Sequence, residues 1–91
     1  MNAVLDPARG YALHPQVGLR DEKFGALAYH YGNRRLTFLN DERLVAVVRT
    51  AAEHADLDTA LAAAGVGTRQ RPAYLAALTR LADCEVLVAR D

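Results

Sequence analysis

This sequence lacks most features that mark an exported, membrane-spanning or disulfide-bonded protein. It has one cysteine in 91 residues, Cys84, which cannot form an internal disulfide bond. Its first residues do not show the charged and apolar regions of an export signal. No run approaches the roughly 18 consecutive apolar residues of a membrane-spanning helix. We therefore expect a soluble cytoplasmic protein without a membrane partner.

Net charge is absent too, because 11 basic and 11 acidic residues cancel and give a pI of about 6.8. Proteins that bind nucleic acid or acidic membranes rely on a net basic field, so the composition argues against both classes. A chain of this length buries roughly 60–65% of its extended-chain surface, which is enough for one small core. A core of this size leaves little room for an enclosed active site.

Residues suited to metal binding or catalysis are few and poorly spaced. The three histidines, His14, His30 and His54, show no HxxxH or CxxC spacing, so we expect no metal and no cofactor. No glycine loop is followed by the lysine of a phosphate-binding loop. Cys84 has no evident activating partner and is interpreted as an inert thiol. The sequence predicts a protein that is not an enzyme.

The clearest pattern is a period-two alternation on both sides of Gly32-Asn33, which predicts a β-hairpin with a tight two-residue connection. Its large apolar members are Leu27, Tyr29, Tyr31, Leu36 and Phe38. With a strand near 16–20 the hairpin forms a three-stranded antiparallel meander, whose second and third strands lie near 25–31 and 34–39. His30, on the other side of its strand from the tyrosines, is expected to face solvent or to be hydrogen-bonded.

The third strand has no obvious neighbour on its far side, so we expect it to be a sheet edge. Arg34, Arg35 and Thr37 lie on the polar side of its alternation. Two interpretations stay open: the charge protects the edge from unwanted pairing, or it attracts an acidic extended peptide.

Three helices follow the meander. Asn40 is the expected N-cap of the first, whose apolar stripe runs to about His54. Asp56 or Asp58 caps a short second helix, which stops at Gly65-Val66-Gly67. The third opens at Thr68 or Pro72 and has an apolar face of Tyr74, Leu75, Leu78 and Leu81.

The two ends of the chain show weaker patterns. Residues 1–9 have no sustained period and are expected to be a flexible lead-in to a single domain of residues 10–91. The run at 85–89 favours a short C-terminal strand, and its pairing partner cannot be inferred from the sequence.

The second and third helices also form a helix-turn-helix outline, with Arg69 and Arg71 where a recognition helix meets DNA. The helix face beyond Arg71 offers Ala73, Ala76 and Ala77, where base-reading side chains would be needed. A small winged-helix DNA-binding protein is therefore the alternative to a protein that binds no nucleic acid.

Residues 14–40, reading HPQVGLRDEKFGALAYHYGNRRLTFLN, resemble the mycofactocin-system peptide chaperones, a group of PqqD-like RiPP recognition elements. The resemblance continues through the helices and covers about three quarters of the chain. One departure is that Asp83-Cys84 follows the third helix where the family pattern suggests a glycine-type stop.

The resemblance implies an α+β winged helix-turn-helix fold, in which a three-stranded sheet packs on three helices. It implies a non-catalytic chaperone that binds the leader of a ribosomally made precursor peptide as a strand beside the third strand. In this family the loaded complex is presented to a radical SAM maturase. Separately from the resemblance, we expect the protein to be a monomer or a weak homodimer. The implied peptide-binding residues are Arg34, Arg35, Leu36, Thr37, Phe38, Leu39, Arg71, Tyr74, Leu75, Leu78 and Arg80.

The groove-facing role of Tyr74 and Leu78 stays open at this point, since either could belong to the core. A third hypothesis also remains, in which the chain is an accessory subunit that only completes the structure of an enzyme.

Overall fold

A computed structural model describes residues 5–90 as an α+β fold. Two antiparallel sheets pack with three α-helices, and a short 3₁₀ turn at Ala51–Glu53 continues the first helix. The strands are β1 (Tyr11–Leu13), β2 (Val17–Glu22), β3 (Gly25–His30), β4 (Leu36–Leu39) and β5 (Leu87–Ala89), and the helices are α1 (Glu42–Thr50), α2 (Leu57–Ala63) and α3 (Arg71–Asp83). Within residues 5–90, none of the helices is long and apolar enough to cross a membrane.

The predicted three-stranded meander is confirmed, with the strand order β2-β3-β4. Side chains of β3 alternate across the sheet: Ala26 and Ala28 are fully buried, whereas Leu27 and Tyr29 are half-buried on the opposite face. Small side chains on the inner face let α1 approach closely, and its residues Val47 and Val48 are fully buried. The sheet therefore has a covered inner face and a bare outer face.

The connection between β3 and β4 differs from the predicted two-residue turn. The His30 amide donates to the Arg35 carbonyl at 3.0 Å, so four residues, 31–34, form the loop. The residue with positive φ is Arg34, at 61°, and not Gly32 or Asn33. Gly32 is needed for space instead, because a Cβ there would lie 2.8 Å from the imidazole of His30. The third strand accordingly begins at Leu36 and not at Arg34.

A second sheet was not predicted. β1 pairs antiparallel with β5, with Tyr11 opposite Ala89 and Leu13 opposite Leu87. The predicted C-terminal strand thus exists, and its partner is a three-residue strand too short to show a period. This pair brings the two ends of the described chain together and buries Tyr11 and Leu87.

Residues 1–4 of the predicted lead-in lie outside the described residues, and residues 5–9 contact the domain. The carbonyl oxygens of Pro7 and Arg9 accept hydrogen bonds from the Asp58 and Leu57 amides, both at 3.0 Å. These bonds satisfy amides at the start of α2 that have no partner within the helix. Flexibility of the lead-in and the proposed domain boundary stay predictions.

Helix caps follow the predicted chemistry with one shift. Asp41, and not Asn40, is the N-cap of α1, and its carboxylate accepts from the amides of Arg43 and Leu44. Asp56 caps α2 through the Thr59 amide. Pro72 lies in the first turn of α3, as predicted.

α3 ends in a backbone motif that usually contains glycine, and Glu85 occupies the glycine position. The Val86 amide donates to Leu81 and the Glu85 amide to Ala82, while Glu85 adopts φ 63°. These two bonds form a Schellman motif, in which the left-handed residue is usually glycine. The same motif ends α2 with Gly65 at φ 82°. Glu85 therefore occupies a conformation that a side chain makes unfavourable.

We predict that Glu85→Gly raises the free energy of unfolding by about 1 kcal/mol, because glycine removes the steric cost of the left-handed conformation. Ala82→Gly, three residues earlier in α3, is the matched control and should lower the free energy of unfolding by about 1 kcal/mol. Urea unfolding of both variants measures the two effects. A loss of stability in Glu85→Gly would show that the Glu85 side chain makes a contact worth more than its backbone strain.

Candidate functional site

An open groove of about 340 Å³ lies between β4 and α3. One wall is β4, the other is one side of α3, and the start of α1 closes one end. Its lining residues are Thr37, Phe38, Leu39, Asn40, Asp41, Leu44, Ala73, Tyr74, Ala77, Arg80, Leu81 and Cys84.

Small side chains on α3 keep the groove open. Ala73 and Ala77 lie one helical turn apart on the groove side, next to the larger Tyr74 and Leu81. A methyl group in place of a longer side chain leaves space that a ligand side chain can fill. The groove is mostly apolar, with Arg80 among its lining residues.

The carboxylate of Asp41 joins the two walls. The Tyr74 hydroxyl donates to its Oδ2 at 2.8 Å and lies 2.9 Å from its Oδ1. The same carboxylate accepts from the Arg43 amide at 2.8 Å and from the Leu44 amide at 3.1 Å. One side chain therefore caps α1 and binds α3 at the end of the groove.

These contacts shift both ionisable groups. Partial desolvation of Asp41 opposes ionisation, but the hydrogen bonds from Tyr74, Leu44 and Arg43 outweigh it and lower the pKa of the carboxyl below its usual value. Burial, followed by the hydrogen bond to Asp41, raises the pKa of the Tyr74 hydroxyl above its usual value. The pair is therefore a phenol donating to a carboxylate at neutral pH.

The free edge of β4 lies along the groove. Within residues 5–90, β4 pairs with β3 alone, and the register places Thr37 opposite Ala28 and Leu39 opposite Ala26. Because hydrogen-bonded pairs alternate in an antiparallel ladder and His30 bonds to Arg35, Thr37 and Leu39 have their amides directed at β3. The N–H and C=O groups of Leu36 and Phe38 point away from β3, toward the free edge.

Five sequence-predicted site residues line the groove: Thr37, Phe38, Leu39, Tyr74 and Arg80. Arg35 extends to its end, where Nη1 lies 3.7 Å from Sγ of Cys84.

The other predicted site residues lie elsewhere. Arg34 is exposed in the loop, and Leu36 is exposed on the outer face of the sheet. Arg71 forms an ion pair with Asp58 of α2. Leu75 packs partly buried against the core, and Leu78 is fully buried in it. Contact of these residues with a ligand stays a prediction.

Sequence reasoning missed the small residues of the groove. Ala73, Ala77 and Cys84 lie at helical intervals with the predicted Arg80: the four residues are four, three and four positions apart, which is one face of a helix. This face adjoins the apolar stripe of Tyr74, Leu78 and Leu81. The interval pattern was visible in the sequence, but which of the two adjacent faces meets the core depends on how α3 packs.

One cluster of described residues has the composition of a metal site. Potential ligand atoms of His14, His30 and Glu85 lie within 4.8 Å of one another. Nδ1 of His30 accepts from the amides of Gly32 and Asn33, at 3.0 and 3.1 Å, and Nδ1 of His14 accepts from Gln16 at 3.0 Å. In neutral imidazoles these bonds place the proton on Nε2, which then lacks the lone pair that a metal needs.

The same bonds give His30 a structural role. It is 4% exposed, which agrees with the hydrogen-bonded alternative and not with the solvent-facing one. Its Nδ1 holds the loop that sets the start of β4. Its Nε2 has no hydrogen-bond partner among the described residues.

Comparison with known proteins assigns the family. The profile of the peptide chaperone MftB family matches residues 10–88. This chain belongs to that family. It is 48% identical over 86 residues to the peptide chaperone MftB of Mycobacterium ulcerans (strain Agy99), an alignment that covers 94% of this chain and 79% of the relative.

Two further relatives support the assignment. The peptide chaperone MftB of Mycobacterium tuberculosis (strain ATCC 25618 / H37Rv) is 48% identical over the same coverage. That of Mycolicibacterium smegmatis (strain ATCC 700084 / mc(2)155) is 47% identical over 83 residues, which is 91% of this chain and 81% of the relative. No solved structure matches this chain significantly. The family is named for a peptide-chaperone role and not for a catalytic one.

We predict that Tyr74→Phe lowers the free energy of unfolding at pH 7 by about 1 kcal/mol, since it removes a hydrogen bond to an ionised carboxylate. The pKa of Asp41 should rise in the variant. In the parent protein the stabilisation from this lowered pKa is present above the unfolded-state pKa and is lost as pH falls through the folded-state pKa. The difference in the free energy of unfolding between the parent protein and Tyr74→Phe should therefore become smaller in acid.

Urea unfolding at pH 7 and in acid measures the stability difference between Tyr74→Phe and the parent protein, and an NMR titration measures the pKa of Asp41. Tyr31→Phe is the control, because its ring is exposed, and it should change the free energy of unfolding by less than about 0.5 kcal/mol. An equal loss at both pH values would mean that the hydroxyl acts through packing and not through the carboxylate.

Proposed function

We propose that this chain binds the leader of a ribosomally made precursor peptide as an added strand beside β4. The observation that carries the proposal is the free edge of β4 running along an apolar groove. Main-chain hydrogen bonds to an edge provide affinity for any extended segment, and pockets for alternate side chains provide specificity. The family name supports a peptide as the ligand.

The groove supplies what strand pairing alone lacks. A disordered peptide loses roughly 2–5 kcal/mol of its gross interaction energy when it becomes ordered on binding. Apolar side chains placed beside Ala73, Ala77 and Leu81 offset this loss by burying area. The Asp41–Tyr74 pair keeps the groove formed before binding, which reduces the ordering cost on the protein side.

The basic groups near the groove favour an acidic leader. Arg80 lines it and Arg35 lies at its end, whereas Arg34 is exposed in the adjacent loop. Each exposed pair with a peptide carboxylate is worth roughly 0.2–1 kcal/mol and is screened by salt. Charge thus assists binding at this site, while the apolar groove supplies more of the affinity.

The role that follows is that of a chaperone that presents the loaded leader to a radical SAM maturase. In the proposed winged helix-turn-helix, α2 and α3 form the helix pair and the β3–β4 hairpin forms the wing. The protein acts as a monomer or weak homodimer, and the peptide and the maturase are its partners.

The features of α3 favour a peptide over DNA. Arg71, at the start of the helix, is paired with Asp58, which competes with phosphates for its guanidinium. Ala73 and Ala76 are exposed and offer no hydrogen-bonding group to a base edge. A DNA-binding winged helix would need both functions from this helix.

Ala77→Asp tests the groove. It places a carboxylate on the apolar wall, where it loses hydration on binding and repels an acidic leader. We expect the affinity for a synthetic leader peptide, measured by isothermal titration calorimetry, to fall at least about tenfold, or about 1.4 kcal/mol.

Ala76→Asp is the matched control, since it makes the same change one residue away on the exposed side of α3. It should leave the dissociation constant within about twofold. Equal affinities of the two variants, with native circular dichroism, would exclude the groove as the binding site. No measurable binding of the leader by the parent protein would favour an accessory subunit that only completes an enzyme.

A further inference from the structure

The outer face of β4 exposes two large apolar side chains. Leu36 is 62% exposed and Phe38 is 56% exposed. Their direct cross-strand neighbours on β3 are Tyr29 and Leu27. These two side chains are half-buried, because β3 has a strand on each side. In the described part of the chain, Leu36 and Phe38 have a neighbouring strand on one side only. Large exposed apolar groups on an edge strand favour unwanted pairing with other chains. Their presence therefore indicates that a ligand or partner covers this surface.

The same two residues direct their backbone groups to the free edge. The register and the His30–Arg35 hydrogen bond assign the amides of Thr37 and Leu39 to β3, and those of Leu36 and Phe38 to the open side. A strand added to β4 therefore places two of its residues directly opposite Leu36 and Phe38. Residues opposite each other share a face, with their Cβ atoms about 4.5–5.5 Å apart.

The two faces of the added strand meet different surroundings. Side chains opposite Thr37 and Leu39 point to the inner face, where the groove and α3 lie. Side chains opposite Leu36 and Phe38 lie on the outer face, against those two exposed groups. Phe38 also borders the groove, because it lies on the edge strand where the two faces meet. Both faces that the strand meets are apolar along this stretch.

We propose that Leu36 and Phe38 form a second specificity surface, which reads the outward side chains of the bound peptide. The ligand is then a segment of about four consecutive apolar residues, because both odd and even positions meet apolar groups. A ligand with apolar residues at every second position would use the groove alone. This inference rests on the proposed strand addition at β4.

A serine scan of the leader peptide tests the proposal. Serine replaces each residue of the bound segment in turn, and calorimetry gives the dissociation constants. Inward positions should lose about tenfold or more in affinity, and outward positions about three- to fivefold each, as expected for losing one apolar cross-strand pair. Outward positions that change by less than twofold, beside sensitive inward ones, would overturn this inference and leave strand addition intact. A scan that is flat at every position would overturn both.

A double-mutant cycle assigns the outward contacts to their partner. Phe38→Ser should lower the affinity for the parent peptide three- to fivefold. It should cause almost no further loss of affinity for the peptide that already has serine opposite residue 38. Tyr31→Ser is the control, because it removes an equally exposed aromatic ring outside β4 and should change affinity less than twofold. Fully additive losses would overturn the proposal.

Other occupants of the outer face give different results. If a second copy of the chain covers Leu36 and Phe38, Phe38→Ser changes the sedimentation behaviour of the free protein and leaves the peptide affinity unaltered. If the modifying enzyme covers them, the variant weakens binding of the radical SAM enzyme and again leaves the peptide affinity unaltered. Either outcome overturns the proposal.

Discussion

The carboxylate of Asp41 is the group on which the arrangement of the groove depends. β4 ends at Leu39 and α1 begins at Glu42, so Asp41 lies at the point where the chain leaves the sheet. By accepting from two amides of α1 and from the Tyr74 hydroxyl, it links α3 to the segment that follows β4. Buried or half-buried carboxylates with several donors are strong and directional acceptors. These hydrogen bonds join the two walls at one end of the groove.

A groove next to a free strand edge joins two kinds of recognition. Backbone pairing does not depend on the peptide sequence, and it would bind any extended chain. The side-chain surfaces beside the edge, on α3 inward and at Leu36 and Phe38 outward, restrict which chain can bind. The loop held by His30 sets where β4 begins, and it therefore sets the register in which both surfaces are presented.

Much of this fold could be predicted from local sequence patterns. The alternation in β3 and β4 and the helical stripe of Leu44, Val47 and Val48 are long enough to show their periods. β1 and β5 have three residues each and acquire their structure from pairing with each other, which no local pattern reveals. Asn40 and Asp41 are neighbouring residues that can both cap α1. The hydrogen bond from Tyr74 favours Asp41, and the N-cap is therefore one residue later than predicted.

The site was harder to predict than the fold. The edge strand follows from the order of elements, and Tyr74 and Arg80 were assigned to the groove by resemblance. Leu78 and Ala77 are adjacent on α3, and rotation of the helix by one residue exchanges which of them meets the core. Packing of Leu78 into the core decides the rotation and leaves Ala77 to line the groove.

Residue-resolved amide exchange of β4, with and without leader peptide, tests strand addition most directly. The account predicts added protection at the amides of Leu36 and Phe38 and little change at Thr37 and Leu39, which already bond to β3. β2, the other edge of the sheet, should not change near Val17 to Arg20. Protection along β2 instead, or confined to residues 69–73 at the start of α3, would contradict the account.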